Sequence, residues 1–250
     1  MKRVVCLVAV LMLCLGQAGA VSLTGYSSRT GYQYVTFGRY EQTADSQVQP
    51  ILWRVLRVDE GSAYLCSEYV LLAHRIHGSD KEYVTFKGDF TKTEMWSFLN
   101  GEFAQHAFTA DELDAILDSQ PFGKIYLLSA ADLKDKSLGF GSDKARKAWG
   151  TEYAVKVTGL FVYRAVFGSH SPYWTSERST AYKYGWRCIK QSGGIGYINV
   201  ITLNEGCRPV CNVLTDKVTV TGGSGTKDDP YVLEVPAAAP AQLVLTEVTE

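Results

Sequence analysis

Hydrophobic patterning divides the chain into a strand-rich front, a short helical middle, an aperiodic stretch and a second strand-rich region. Residues 34–40 alternate enough to form a strand. Residues 51–58 and 62–72 are β-branched and aromatic runs separated by Glu60-Gly61, a hairpin signal. Alternation in the first run sends Leu52, Arg54 and Leu56 to one face and Ile51, Trp53, Val55 and Arg57 to the other. Apolar residues on both faces suit a sheet covered on both sides. Thr91-Lys92-Thr93-Glu94 has capping-box spacing before Met95, Phe98 and Leu99, and Thr109-Ala110-Asp111-Glu112 repeats it before Leu113, Ile116 and Leu117. Pro121 and Gly123 stop the second helix, and residues 124–128 read as a short buried strand. Ser129 then caps a small helix with Asp132 in its first turn.

Residues 138–196 carry many glycines and aromatics but no long period, which predicts an elaborated loop half. Strand patterning returns at 195–203 and 207–214. Residues 217–220 and 231–235 form a candidate hairpin around the polar stretch 222–230, read here as a ribbon distinct from the main sheet. The Ala- and Pro-rich residues 236–250 read as a flexible tail.

The N-terminus changes the expected compartment. Lys2 and Arg3, the apolar residues 4–15 and Ala18-Gly19-Ala20 have the layout of a secretory signal cleaved after Ala20. That apolar run is shorter than the roughly 20 residues of a membrane span, so no span is expected after cleavage. Without Lys2 and Arg3, 23 Lys and Arg face 26 Asp and Glu, a net charge near −3. No basic excess or stripe favours a nucleic-acid partner. Four cysteines remain: Cys66, Cys188, Cys207 and Cys211. An even count in an exported chain predicts two disulfides of open connectivity, with Cys188–Cys207 and Cys66–Cys211 preferred.

An ordered series of landmarks spans residues 33–211: Val35-Thr36-Phe37-Gly38, Pro50-Ile51-Leu52-Trp53-Arg54, Ala63-Tyr64-Leu65-Cys66-Ser67, Phe98-Leu99-Asn100, Ile125-Tyr126-Leu127-Leu128-Ser129, Tyr173-Trp174 and Gly206-Cys207-Arg208-Pro209. The series resembles the bacterial extracytoplasmic domain of unknown function 6273, which is similar to C-type-lectin-like and sulfatase-modifying-factor folds. The resemblance implies an α+β, C-type-lectin-like fold: a twisted, mainly antiparallel sheet, two or three short helices and a long loop-rich half. The expected organisation is a signal peptide (1–20), a lead-in (21–32), a lectin-like domain (33–214), an appended β-ribbon (215–235) and a tail (236–250).

No catalytic motif is assembled along the chain, and no cofactor is expected. Relatives in the sulfatase-modifying fold that generate formylglycine use a copper-binding thiol pair. Cys207 and Cys211 differ from that pair in position and spacing, so no catalytic residue is transferred. His74 and His77 lack a further convergent ligand in sequence. The calcium-dependent sugar triplets of C-type lectins are absent. The best binding candidate is Tyr182-Lys183-Tyr184-Gly185-Trp186-Arg187. If extended, it projects Tyr182, Tyr184 and Trp186 from one face, where flat amphipathic rings stack on a sugar or anchor a protein. The opposing reading is that these rings cover the core. The sequence therefore favours a secreted, periplasmic or surface-exposed non-catalytic binding module for a glycan or protein. A thiol- and copper-dependent oxidase and a structural envelope component are the alternatives.

Overall fold

The computed structural model describes residues 22–165 and 168–237. The front of the chain is a meander of β1 (Tyr34–Glu41), β2 (Val48–Asp59) and β3 (Ser62–Ser67), each antiparallel to the next. Gly61 closes the β2–β3 turn at φ +81°, a left-handed conformation that a side chain would strain. Ile51, Trp53 and Val55 point into one core, as the alternation predicts. A bulge between Val55 and Arg57 then breaks the register, and Arg57 pairs with Tyr64 on the opposite face from Trp53. This corrects the face assigned to Arg57 by simple alternation.

After β4 (Leu72–Ala73) the chain turns helical. Short helices cover Asp80–Thr85 and Phe90–Lys92. A continuous helical run then joins Glu94–Phe98, Leu99–Phe103 and Ala104–Ala107, followed by Ala110–Asp114. Thr93, rather than Thr91, caps the long run, its hydroxyl accepting from Trp96 N at 3.1 Å. Thr109 and Glu112 form the full reciprocal box. Asn100 receives the main-chain N–H groups of Lys124 and Ile125 and donates to Ile125 O. It thereby fixes the loop that enters β5 (Tyr126–Leu127).

The aperiodic segment is more ordered than its sequence suggests. It contains a small hairpin, β6 (Tyr163–Ala165) with β7 (Gly168–His170), and the strands β8 (Tyr173–Arg178), β9 (Gly185–Ile189) and β10 (Ile195–Asn199). Next come β11 (Gly206–Cys207), β12 (Pro209–Leu214), β13 (Thr219–Gly222) and β14 (Tyr231–Glu234). Residues 200–205 form a loop rather than continuing the predicted strand.

The protein is a mixed α+β fold with two principal sheets. The larger has the order β13-β14-β1-β2-β3-β12-β5, and the smaller β10-β9-β8-β11-β4. Consecutive strands β11 and β12 join them around Arg208. The ribbon is not separate: β14 pairs parallel with β1, Leu233 is buried, and Lys227 Nζ reaches Glu68 at 2.7 Å. Both sheets have one face against each of two apolar clusters. One cluster is centred on Trp53, Trp174 and Trp186, the other on Tyr64, Phe140 and Tyr173.

Candidate functional site

The predicted aromatic face does not form as one surface. Gly185 N donates to Tyr182 O and Ser179 N to Gly185 O, both at 2.9 Å, so residues 182–184 turn before β9 begins. Alternation applies only from Gly185 onward. Trp186 is fully buried, its Nε1 donates to Thr175 O at 2.6 Å, and its ring lies 5.8 Å from Tyr83 and 6.0 Å from Phe90. An indole without exposed surface meets no ligand, so Trp186 leaves the candidate site and joins the core.

Tyr182 and Tyr184 remain at the surface, and Tyr197 joins them. Tyr182 is 39% exposed and Tyr197 49%. The Tyr182 ring centroid is 5.8 Å from that of Tyr184, edge-on, and 6.2 Å from that of Tyr197. Lys183 Nζ lies 5.2 Å from the Tyr184 centroid, a cation–π approach. Tyr197 sits directly opposite Arg187 in the β9–β10 ladder, on the face away from Trp186 and Ile198. The signal for this register is Gly193-Gly194, a hairpin turn in which Gly193 adopts φ +89°. β10 is also the outer strand of its sheet, and no described strand pairs with its far side.

The four cysteines among the described residues are free, buried thiols. Cys66 lies opposite Val210 and Cys211 opposite Leu65. Directly opposed residues share a face while neighbours alternate, so Cys66 and Cys211 point into different cores. Cys188 lies opposite Trp174 on β8, and β8 in turn separates Cys188 from β11 and Cys207. Two strand spacings make roughly 9–10 Å, beyond the roughly 7 Å limit for bridging Cα atoms. Neither expected disulfide is formed, and the sheets themselves hold both pairs apart. Burial pushes the Cys188 thiol up to about 12 and raises Cys207 and Cys211 further. Burial also raises Cys66, although Arg208 and Arg54 oppose it. Protonated, enclosed thiols are poor metal ligands and nucleophiles.

The two histidines diverge. His74 stacks on Phe98 at 4.5 Å, with Nδ1 2.6 Å from Arg75 O, and burial lowers its pKa. His77 Nδ1 accepts from Glu94 N, and its Nε2 lies 3.3 Å from Glu82. Among the described residues no group of three or more His, Cys, Asp or Glu side chains is placed to hold a metal. Arg208 is likewise committed to the interior. Its Nε donates to Ser67 O at 2.9 Å, its Nη1 donates to Tyr173 OH at 3.3 Å, and its guanidinium lies over the Tyr173 ring.

Comparison with protein-family models, curated proteins and solved structures gives no match for this chain. Among the described residues no helix is long and apolar enough to cross a membrane.

Proposed function

We propose that this chain is an exported, non-catalytic binding module, C-type-lectin-like in fold and related to the domain of unknown function 6273. In this reading it recognises a protein or glycan at the bacterial surface. The supporting observation is the surface cluster of exposed Tyr182 and Tyr197 with half-buried Tyr184 beside the outer strand β10. Of the two ligand classes, an extended protein segment uses more of what this surface offers. Its main chain can bond to the free edge of β10 while alternate side chains meet the tyrosines. Lys183 and Arg187 add donors at the margin, although Arg187 is partly engaged by Glu177 at 3.7 Å. A thiol-dependent oxidase draws no support from buried, protonated Cys207 and Cys211. A separate docking ribbon draws none from a ribbon built into the main sheet.

A glycan array and a crosslinked pulldown from intact cells supply the ligand, and three variants supply the test. Tyr182→Ala combined with Tyr197→Ala is expected to weaken binding at least tenfold at an unchanged Tm. Trp186→Ala, in contrast, is expected to destabilise by about 3–5 kcal/mol as a core deletion. Undiminished binding by the double tyrosine variant would remove this surface from consideration.

A further inference from the structure

A second, unassigned site lies at the far side of the larger sheet. The register places Arg57, Tyr64 and Asn212 side by side on β2, β3 and β12, all directed to one face. Arg57 reaches this face only because of the bulge after Val55, a typical device for re-aiming a side chain. Its guanidinium lies 5.6 Å from the Tyr64 centroid. Tyr126 lies nearly parallel to Tyr64 at 6.2 Å, and Phe122 nearly parallel to Tyr126 at 5.8 Å; Tyr64 is buried beneath the cleft, so the half-buried Tyr126 and Phe122 supply the ring surface it offers. The Ser129–Asp132 turn closes the other wall. Together these groups line a cleft of about 210 Å³. That is enough for one small molecule.

Polar groups in the cleft are held in place, yet each retains capacity. Asp132 Oδ2 accepts from Ser129 N at 2.9 Å and from Ser129 Oγ at 2.7 Å, and Tyr64 OH approaches it at 3.4 Å. Its Oδ1 takes no bond from another described residue. Asn212 Nδ2 donates to Tyr126 OH at 2.8 Å and to Ser119 Oγ at 3.0 Å, and Asn212 Oδ1 takes no bond from another described residue. Arg57 Nε donates to both oxygens of Asp59, at 2.9 and 2.7 Å, so its charge is already matched.

The charges narrow the ligand class. Asp132 and Asp59 oppose an anion, and Arg57 opposes a cation at the same rim. A divalent metal would find one lining carboxylate where it needs several oxygen ligands. What remains is a neutral molecule whose hydroxyls both donate and accept, with C–H faces to lie against aromatic rings. We infer that this cleft binds a single ring of a neutral cyclic polyol, such as one pyranose. The site is independent of the tyrosine cluster.

Saturation-transfer NMR on the full chain tests this with free neutral monosaccharides and inositol, using acetate, phosphate and glycine as charged comparators. At least one neutral ring is expected to bind saturably and none of the comparators to do so. Asp132→Asn and Arg57→Gln are each expected to weaken that binding about tenfold, while Tyr182→Ala leaves it unchanged. If Asp132→Asn disturbs the Ser129 turn, the half-exposed Arg57→Gln still gives a clean reading. The inference is overturned if no neutral ring saturates, if both cleft variants bind as the parent does, if a charged comparator binds better, or if Tyr182→Ala abolishes binding.

Discussion

Individual residues show where local pattern ceases to report environment. Trp186 and Tyr197 lie on neighbouring strands, yet one is enclosed and the other half-exposed, because Trp186 is paired with Ile198 on the core face and Tyr197 with Arg187 on the opposite one. Simple alternation misplaces Arg57 because one extra residue in β2 reverses the face. Glu205 is buried, and its Oε2 lacks a hydrogen-bond partner among the described residues. Burial pushes its carboxyl up to about 7 from an ordinary 4.5. The folded state therefore disfavours the ionised form. Stability is fully present below pH 4.5, where both states are neutral, and is lost as pH rises from there through 7. The loss above pH 7 is of the order of 3 kcal/mol. Glu205→Gln keeps the shape and removes the charge, so its Tm should exceed the parent's by several degrees at pH 8 and by little at pH 5. A Tm difference independent of pH would mean that Glu205 is not a buried titrating group.

At the scale of elements, the β1–β2–β3 meander was legible because alternation, a Glu-Gly turn and contiguous pairing all lie within one stretch of sequence. Strands β8 and β9 were not. Tyr173 to Ser176 are all buried, and strands enclosed on both faces leave no period to read. The ribbon failed differently: its hairpin was legible, but the parallel pairing of β14 with β1 joins residues far apart in sequence. That pairing makes the ribbon part of the fold. Removing residues 215–250 strips β1 of a neighbour, takes Leu233 from the core and withdraws Lys227 from Glu68. Burying a leucine is worth about 1.5–3 kcal/mol, and each kcal/mol moves Tm by about 2–4 °C at this size. The truncated chain should therefore melt at least about 3 °C lower, by calorimetry, or fail to stay soluble. An unchanged Tm would make the ribbon a separate appendage after all.

At the scale of the whole molecule, the α+β class came with the resemblance and agrees with the order of patterned segments, whereas the division into two sheets was not legible. Nothing local marks Arg208 as the place where one extended run leaves the smaller sheet for the larger. That division decides the state of the cysteines. An even count in an exported chain argued for two bridges, but counting thiols takes no account of which faces they occupy. Cys66 and Cys211 are separated by the thickness of a sheet, and Cys188 and Cys207 by the intervening strand that carries Trp174. Bridging Cys188 to Cys207 requires unpairing the strand that buries Trp174, and bridging Cys66 to Cys211 requires turning one side chain through the sheet. Burial also keeps each thiol protonated, which slows thiolate-dependent exchange from the folded state. The native protein should therefore resist alkylation while folded. Unfolded without reductant, it should give a mass corresponding to four modified cysteines, and reductant should leave its Tm unchanged. Two modified cysteines or fewer, with a Tm that drops on reduction, would require a different strand arrangement, because the present one leaves no path between either pair of sulfurs.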